Sequence, residues 1–481
     1  MSRPAPSLRL LLGSAMGLRL AMAALNFALF WLLSHRLGTA ELGGFSLLMN
    51  LFLMVQLLPL LGLSVPLIRR AATEREHLAP EVSNALAIAL PVAGLIALVL
   101  LGVGHWQYPA DLQWPFLLLA ACLLPGAWTL VAECTLLGLE RMADIARVQC
   151  IEVAARVLLS LAAVALGWGL TGVFAVLLAG RIAVALTYLH LHGLPRPRWS
   201  LLSRALLQRN LAEVPTFLGI AVLAALSARL DVLVLSRTQG LADVGVYAAA
   251  ARLYDAALML PTVAALTMMP TLARLLQEDE SQFKRLLQAA LRGSLAVGTV
   301  GALAVAALAP LLISLLYKPA MAPAAPVLAW LIFGAVLTTV DQVLSSTMLA
   351  AKAQRDDMRA LAGAVLVLVV ALVTLTHALG PLGAAMAVVL GHLARVMLRL
   401  RWATRALALD GLWREWFTQA LAAAGAAGAL WLAQPWGPLA AWAAGWATWA
   451  LLARLLGIIG PHWWLDLRSA LGQWRGRAPQ A

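Results

Sequence analysis

Fourteen predominantly apolar segments, most near the length needed to cross a bilayer, follow one another along almost the whole of this 481-residue chain. A segment surrounded by lipid finds no water to satisfy its backbone N–H and C=O groups, so each must close its hydrogen bonds internally, as an α-helix does. The expected fold is therefore all-α, a polytopic membrane protein with about 14 transmembrane helices. They are placed near residues 10–34, 44–68, 82–103, 115–137, 148–168, 172–192, 211–236, 244–272, 289–316, 325–351, 360–379, 383–402, 417–433 and 439–459.

Composition agrees with lipid as the main solvent. Hydrophobic residues make up 62% of the chain and charged residues 12%, with a mean hydropathy of +0.87. The net charge of +13 does not describe a nucleic-acid binder, because the basic residues are mostly arginines scattered between apolar segments and never form a domain-sized basic face. Cys122, Cys134 and Cys150 lie in or beside apolar segments without metal-ligand spacing and are read as small apolar side chains. Arg3 and Arg9 precede the first apolar stretch and Arg19 interrupts it. The expectation is a retained signal anchor rather than a cleaved leader.

Basic residues in the connections set the orientation. With the N-terminus in the cytoplasm, the even-numbered loops and both tails hold about 25 of them, including Arg69, Arg70, Lys284, Arg285 and the run from Arg399 to Arg414. The odd-numbered loops hold only Arg36, Arg237 and Lys318. Both termini are expected in the cytoplasm and the protein in the bacterial inner membrane. All loops are short. The stretch Gly193 to Asn210, with Pro195-Arg196-Pro197-Arg198-Trp199, reads as a cytoplasmic linker anchored at the lipid headgroups.

One short sequence occurs twice. Gly38-Thr39-Ala40-Glu41-Leu42-Gly43-Gly44-Phe45 matches Gly240-Leu241-Ala242-Asp243-Val244-Gly245-Val246-Tyr247, and the register holds through Ser34 and Ser236 upstream and Pro59 and Pro261 downstream. At an offset of 211, Pro115 meets Pro326, Arg141 meets Lys352, and Gly169, Gly172 and Gly180 meet Gly380, Gly383 and Gly391. The chain thus reads as two six-helix lobes related by internal duplication, with a cleft expected between them and two extra C-terminal helices. The lobes are assigned to residues 1–192 and 211–402, the linker to 193–210, and the last two helices with the tail to 403–481. Gly43 and Gly245 are expected at tight turns just before the second and eighth helices.

About a dozen ionisable residues fall inside the apolar segments, where each is costly unless it meets a partner or a wet cavity. Arg19, Arg252, Asp255 and Asp341 sit deep and are read as lining a polar cavity; Asn26 shares a helix face with Arg19. Asp231 lies near Arg229, and cavity and local pairing are both open for it. Glu152 and Arg156, four apart with the acid first, are expected to pair locally. Arg181, Arg395 and Arg454 are read as snorkelling toward headgroups. Glu133 and His392 complete the set.

The segment Arg36 to Leu47 resembles the opening signature of Wzx-type polysaccharide flippases of the MOP exporter superfamily. Arg229-Leu230-Asp231-Val232-Leu233, Gly245-Val246-Tyr247-Ala248-Ala249-Ala250 and Leu260-Pro261 resemble that family's pattern across helices 7 and 8. The resemblance implies export of an undecaprenyl-diphosphate-linked glycan from the cytoplasmic to the outer leaflet by alternating access. It further implies membrane lipids, a polysaccharide polymerase and glycosyltransferases as partners, and coupling to H+ or Na+ with no cofactor. Arginine's planar fork suits a diphosphate, so Arg19, Asn26, Arg252 and Arg229 are the candidate substrate-binding residues of the cleft. Asp255, Asp231 and Asp341 are the candidates for carrying the coupling ion or balancing arginine charge. Rival readings are a peptidoglycan-precursor flippase and a cation or drug exporter of the same superfamily. An embedded glycan polymerase or ligase places its chemistry on a large extracytoplasmic loop, and no such loop is seen between the apolar segments, so a transporter rather than an enzyme is expected.

Overall fold

The computed structural model describes residues 8–259, 271–272, 274–407 and 412–458, the side chains of residues 8–20, 76, 215–217, 220 and 412 excepted. Among these residues the structure is helical and contains no strand. Among the described residues nine helices are long and apolar enough to cross a membrane. Contacts divide the chain into two compact units, Met1–Ser236 with Gly240–Gly245, and Arg237–Gln239 with Val246–Ala481.

The first unit contains α1 (Leu8–Arg36), α2 (Thr39–Val55), α3 (Ser64–Thr73), α4 (Leu78–Gln107), α5 (Gln113–Gly138), α6 (Met142–Ala165), α7 (Gly169–His190) and most of α8 (Arg204–Thr238). Helix α5 sits at its centre, packed on α3, α4 and α7, while α6 packs on α1 and α7. The second span is not one helix as expected from 44–68. Pro59 has no N–H to continue the ladder, and Leu61 and Gly62 adopt left-handed conformations (φ 51° and 82°), so a short 3-10 turn, Leu58–Leu60, separates α2 from α3.

Gly43 and Gly245 do not occupy turns. Both lie within helices, α2 and α9 (Leu241–Ala257), and neither has a positive φ. What they provide is space. A Cβ on Gly43 would overlap the carbonyl oxygen of Leu241, and one on Gly245 would overlap that of Thr39. These four residues belong to the first unit, where the two copies of the motif cross backbone to backbone.

The second unit continues with α10 (Glu280–Leu316), α11 (Ala324–Ala350), α12 (Gln354–Ala406), α13 (Leu412–Ala433) and α14 (Pro438–Leu455). Helix α11 packs on α10 and α12, and α13 and α14 pack on each other and on α10. Asp279 caps α10 by accepting the Gln282 amide at 3.0 Å, a bond that holds its exposed carboxyl below the usual range. Helix α12 has 53 residues, about 80 Å at 1.5 Å per residue, far beyond one bilayer core. Gly380 (φ 57°, ψ −132°) followed by Pro381 breaks it between the two anticipated spans.

Duplication is also visible in a turn. Helix α5 ends with Arg141 N–H donating to Leu136 and Glu140 N–H to Leu137, Glu140 being left-handed at φ 61°. Helix α11 ends alike, Ala353 donating to Met348 and Lys352 to Leu349, with Lys352 at φ 57°. Both are Schellman caps with an unusual non-glycine residue in the left-handed position. The caps equate Glu140 with Lys352, one residue from the pairing of Arg141 with Lys352 taken from sequence.

Candidate functional site

Each unit encloses its own polar cluster. In the first, Arg156 on α6 pairs with Glu152 at 3.1 Å, as the four-residue spacing predicts. Its Nη2 also donates to the Oδ1 of Asn26 on α1 at 2.9 Å, while the Asn26 amide donates to the Met22 carbonyl at 2.8 Å. Asn26, a candidate for substrate, is thus committed to a neighbouring arginine. Arg181 on α7 does not snorkel. Its guanidinium lies over the ring of buried Phe52, 5.1 Å from the centroid, and its Nε is buried without a hydrogen-bond partner among the described residues. Gly180 leaves room beside it, because a Cβ there would come within 3.3 Å of Glu152 Oε1. Glu133 on α5 accepts from Gln149 Nε2 at 3.0 Å and from the Tyr188 hydroxyl at 3.2 Å.

A second knot in this unit joins the linker to the helices. Arg70, expected in a solvated loop, is buried. It donates to Glu81 at 3.3 Å, to Glu213 at 2.7 Å and to Asn210. Ser83 accepts the Arg198 amide at 3.0 Å, and Asn84 accepts the Ser203 amide at 3.3 Å. Trp199 remains exposed. The linker is held by side chains of α4 as well as offering a tryptophan outward.

The second unit carries a longer chain of polar groups. Asp341 on α11 is buried between two guanidiniums of α12, Arg399 at 2.6 Å and Arg395 at 2.8 Å. Arg399 also reaches Asp357 at 2.8 Å. Arg395 meets His392 Nδ1 at 3.0 Å. Arginine can only donate, so Nδ1 carries the lone pair and Nε2 the proton, which donates to the Tyr254 hydroxyl at 3.2 Å. Tyr254 lies 3.4 Å from Thr338, whose hydroxyl donates to the Gly334 carbonyl at 2.9 Å. Arg395 is therefore an ion-pair partner rather than a snorkelling residue, and Arg399 is a buried ligand of two carboxylates rather than a loop charge. Their spacing with His392 along one helix face was visible in sequence; the partner on α11 was not.

The remaining candidates are dispersed. Arg229 and Asp231 sit on α8, with Asp231 accepting its neighbour Val232's amide at 2.9 Å. Arg252 and Asp255 sit on α9. All four are half-buried and none lacks an interaction partner. Arg19 lies on α1, with its side chain outside the described residues. Among the described residues no group of three or more His, Cys, Asp or Glu side chains is arranged to hold a metal ion.

Against known proteins, the family described as "polysaccharide biosynthesis protein" matches residues 13–276, more than half of the chain. No curated protein matches in sequence. Among solved structures, the chain is similar to the lipid II flippase MurJ in an inward closed conformation, at 12% identity and a TM-score of 0.69, over 91% of this chain and 97% of that one. It is also similar to an inward-facing multidrug resistance MATE family transporter of the MOP superfamily, at 15% identity and a TM-score of 0.63, over 82% and 98%. A MOP superfamily transporter from Pyrococcus furiosus aligns at 14% identity and a TM-score of 0.61, over 82% and 94%. At these identities the structures speak for the fold alone. The family match over residues 13–276 makes this protein a member of the polysaccharide biosynthesis protein family, with a fold similar to those of the flippase and the transporters above.

Proposed function

We propose that this protein flips an undecaprenyl-diphosphate-linked polysaccharide repeat unit from the cytoplasmic to the outer leaflet of the bacterial inner membrane by alternating access. The observation that carries the reading is the presence of guanidinium groups inside apolar helices, Arg156 and Arg181 in the first unit and Arg395 and Arg399 in the second. A drug or cation exporter needs a group of acidic residues free to meet its substrate, whereas here Glu152 and Asp341 are bound to arginine and Glu133 is held by Gln149 and Tyr188. Arg19 and Arg252, with Asn26 and Arg229 as secondary candidates, are the proposed holders of the diphosphate, and a proton or sodium gradient drives the cycle. Both termini are placed in the cytoplasm, and the polymerase and glycosyltransferases of glycan assembly act on either side of the step.

The test is reconstitution into liposomes. Undecaprenyl-diphosphate-linked oligosaccharide with a fluorescent sugar should move between leaflets in protein-containing vesicles, read by quenching with a membrane-impermeant reagent. MurJ-like architecture makes a peptidoglycan precursor the second substrate to try. Translocation of that precursor alone would shift the assignment to it, and transport of drug cations with neither lipid moving would refute the proposal.

A further inference from the structure

We infer that Glu133, on the central helix α5, is the proton-binding residue of the first unit, a role that rests on the flippase reading for its use as the coupling site. Other carboxylates around it are engaged. Glu152 pairs with Arg156 at 3.1 Å, Asp144 with Arg141 at 2.7 Å and Glu81 with Arg70 at 3.3 Å. Glu133 has no Arg, Lys or His nitrogen within 4.0 Å among the described residues, although it lies within an apolar span. An anion so placed is neutralised most simply by a proton.

The hydrogen bonds say which ligand fits. Both the Gln149 amide and the Tyr188 hydroxyl donate to the same oxygen, Oε1. Oε2 accepts no hydrogen bond among the described residues and is not among the fully enclosed unsatisfied atoms, so it is open to receive a proton. A hard metal cation would instead need several oxygen ligands turned toward it, and the two side chains hydrogen-bonded to the carboxylate both present hydrogens. Protonated, the group is a neutral acid; deprotonated, it is an anion held by two donors. The difference between those states is what a coupling ion requires, since a ligand shifts a conformational equilibrium only through unequal affinity for its two states.

The surroundings on each packed element are accounted for. From α7, Arg181 lies over the Phe52 ring with its Nε unpartnered among the described residues and its charge reaching the Tyr188 hydroxyl, and from α6, Arg156 is bound to Glu152 and Asn26. Cys122 and Cys134 on α5 itself are buried thiols, and Cys150 on α6 is half-buried. Arg69, His105, Arg147 and His190 on α3, α4, α6 and α7 are exposed. Gln149 and Tyr188 are positioning residues for the carboxylate.

Two readouts test the assignment. Infrared difference spectra of the purified protein between acidic and alkaline pH should contain a carboxylic-acid C=O band that Glu133→Gln removes. In Tyr188→Phe, which deletes a donor to the anion, the same band should persist to higher pH than in the wild type. In liposomes carrying the lipid-linked oligosaccharide, Glu133→Gln should lose all acceleration by an imposed proton gradient while still exchanging substrate in its absence. An unchanged band in Glu133→Gln, gradient-driven transport equal to wild type, or an acid band that Tyr188→Phe leaves in place would each overturn the inference. A wild type that moves no lipid-linked glycan yet shows the Glu133 band defeats the flippase reading and leaves the proton site standing.

Discussion

Gly43 and Gly245, equivalent residues of the two copies of one motif, face each other across a helix crossing so close that neither has room for a methyl group. The copies are thus recorded in the packing as well as in the sequence. Alanine at either position would press on backbone, which cannot rotate away, so each variant should lose about 3 kcal/mol of stability, the upper range for overpacking. Gly38, with nothing within 4 Å of its Cβ direction and an extended φ of −74°, should accept alanine without loss. Thermal unfolding of the three detergent-purified variants checks the contrast, and equal melting temperatures for all three would refute it.

Arg156 has two partners, and its removal leaves a carboxylate in the bilayer interior. Arg156→Ala should destabilise the protein by about 3 kcal/mol and lower its abundance more than its activity per molecule. Adding Glu152→Gln should recover part of that loss, because the stranded charge goes with it. Membrane levels of the single and double variants provide the measurement.

Asp341 joins Arg395 and Arg399, so the same logic runs with the signs reversed. Asp341→Asn leaves the two guanidiniums with Asp357, His392 and the backbone carbonyl of residue 341 beside them and should cost about 3 kcal/mol. Asp357→Asn, at the half-buried end of the network, should cost less. Quantified folded protein after extraction at graded temperatures separates the two.

For the candidate substrate residues the expectation is opposite in kind. Arg19→Ala and Arg252→Ala should abolish glycan export with abundance near wild type, and Arg19→Lys should recover only part of it, since an ammonium lacks the bidentate fork. Export at the wild-type rate in both alanine variants would remove the cationic-cleft mechanism.

The topology has its own check. A reporter active only in the cytoplasm should be active when fused after Ala481 and silent at Pro109.

Much of this architecture was legible because lipid imposes one local rule, and hydropathy reports it span by span. Helix ends, the break at Gly380 and the pairing of Glu152 with Arg156 are short-range matters, set within a few residues of chain. Long-range partners were not legible. Arg70 and Arg399 read as loop charges because each sits at the end of an apolar run, and only the fold brings Glu81 with Glu213, or Asp341 with Asp357, to them. The glycine pair misled for a related reason. A tight turn and a close helix crossing call for the same residue, and sequence carries the residue without its neighbour.

Helix α8 begins the second copy of the sequence, yet it is fastened to the first unit at both ends, by Arg70 to Asn210 and Glu213, and by the Tyr108 hydroxyl to Ser236 at 2.9 Å. The gene repeat and the packed body are therefore cut at different places. A protein severed near residue 199 would yield one fragment with an empty berth and another with an orphan helix. Made separately each should be degraded; made together they should reassemble, the severed helix acting as the plug that joins them.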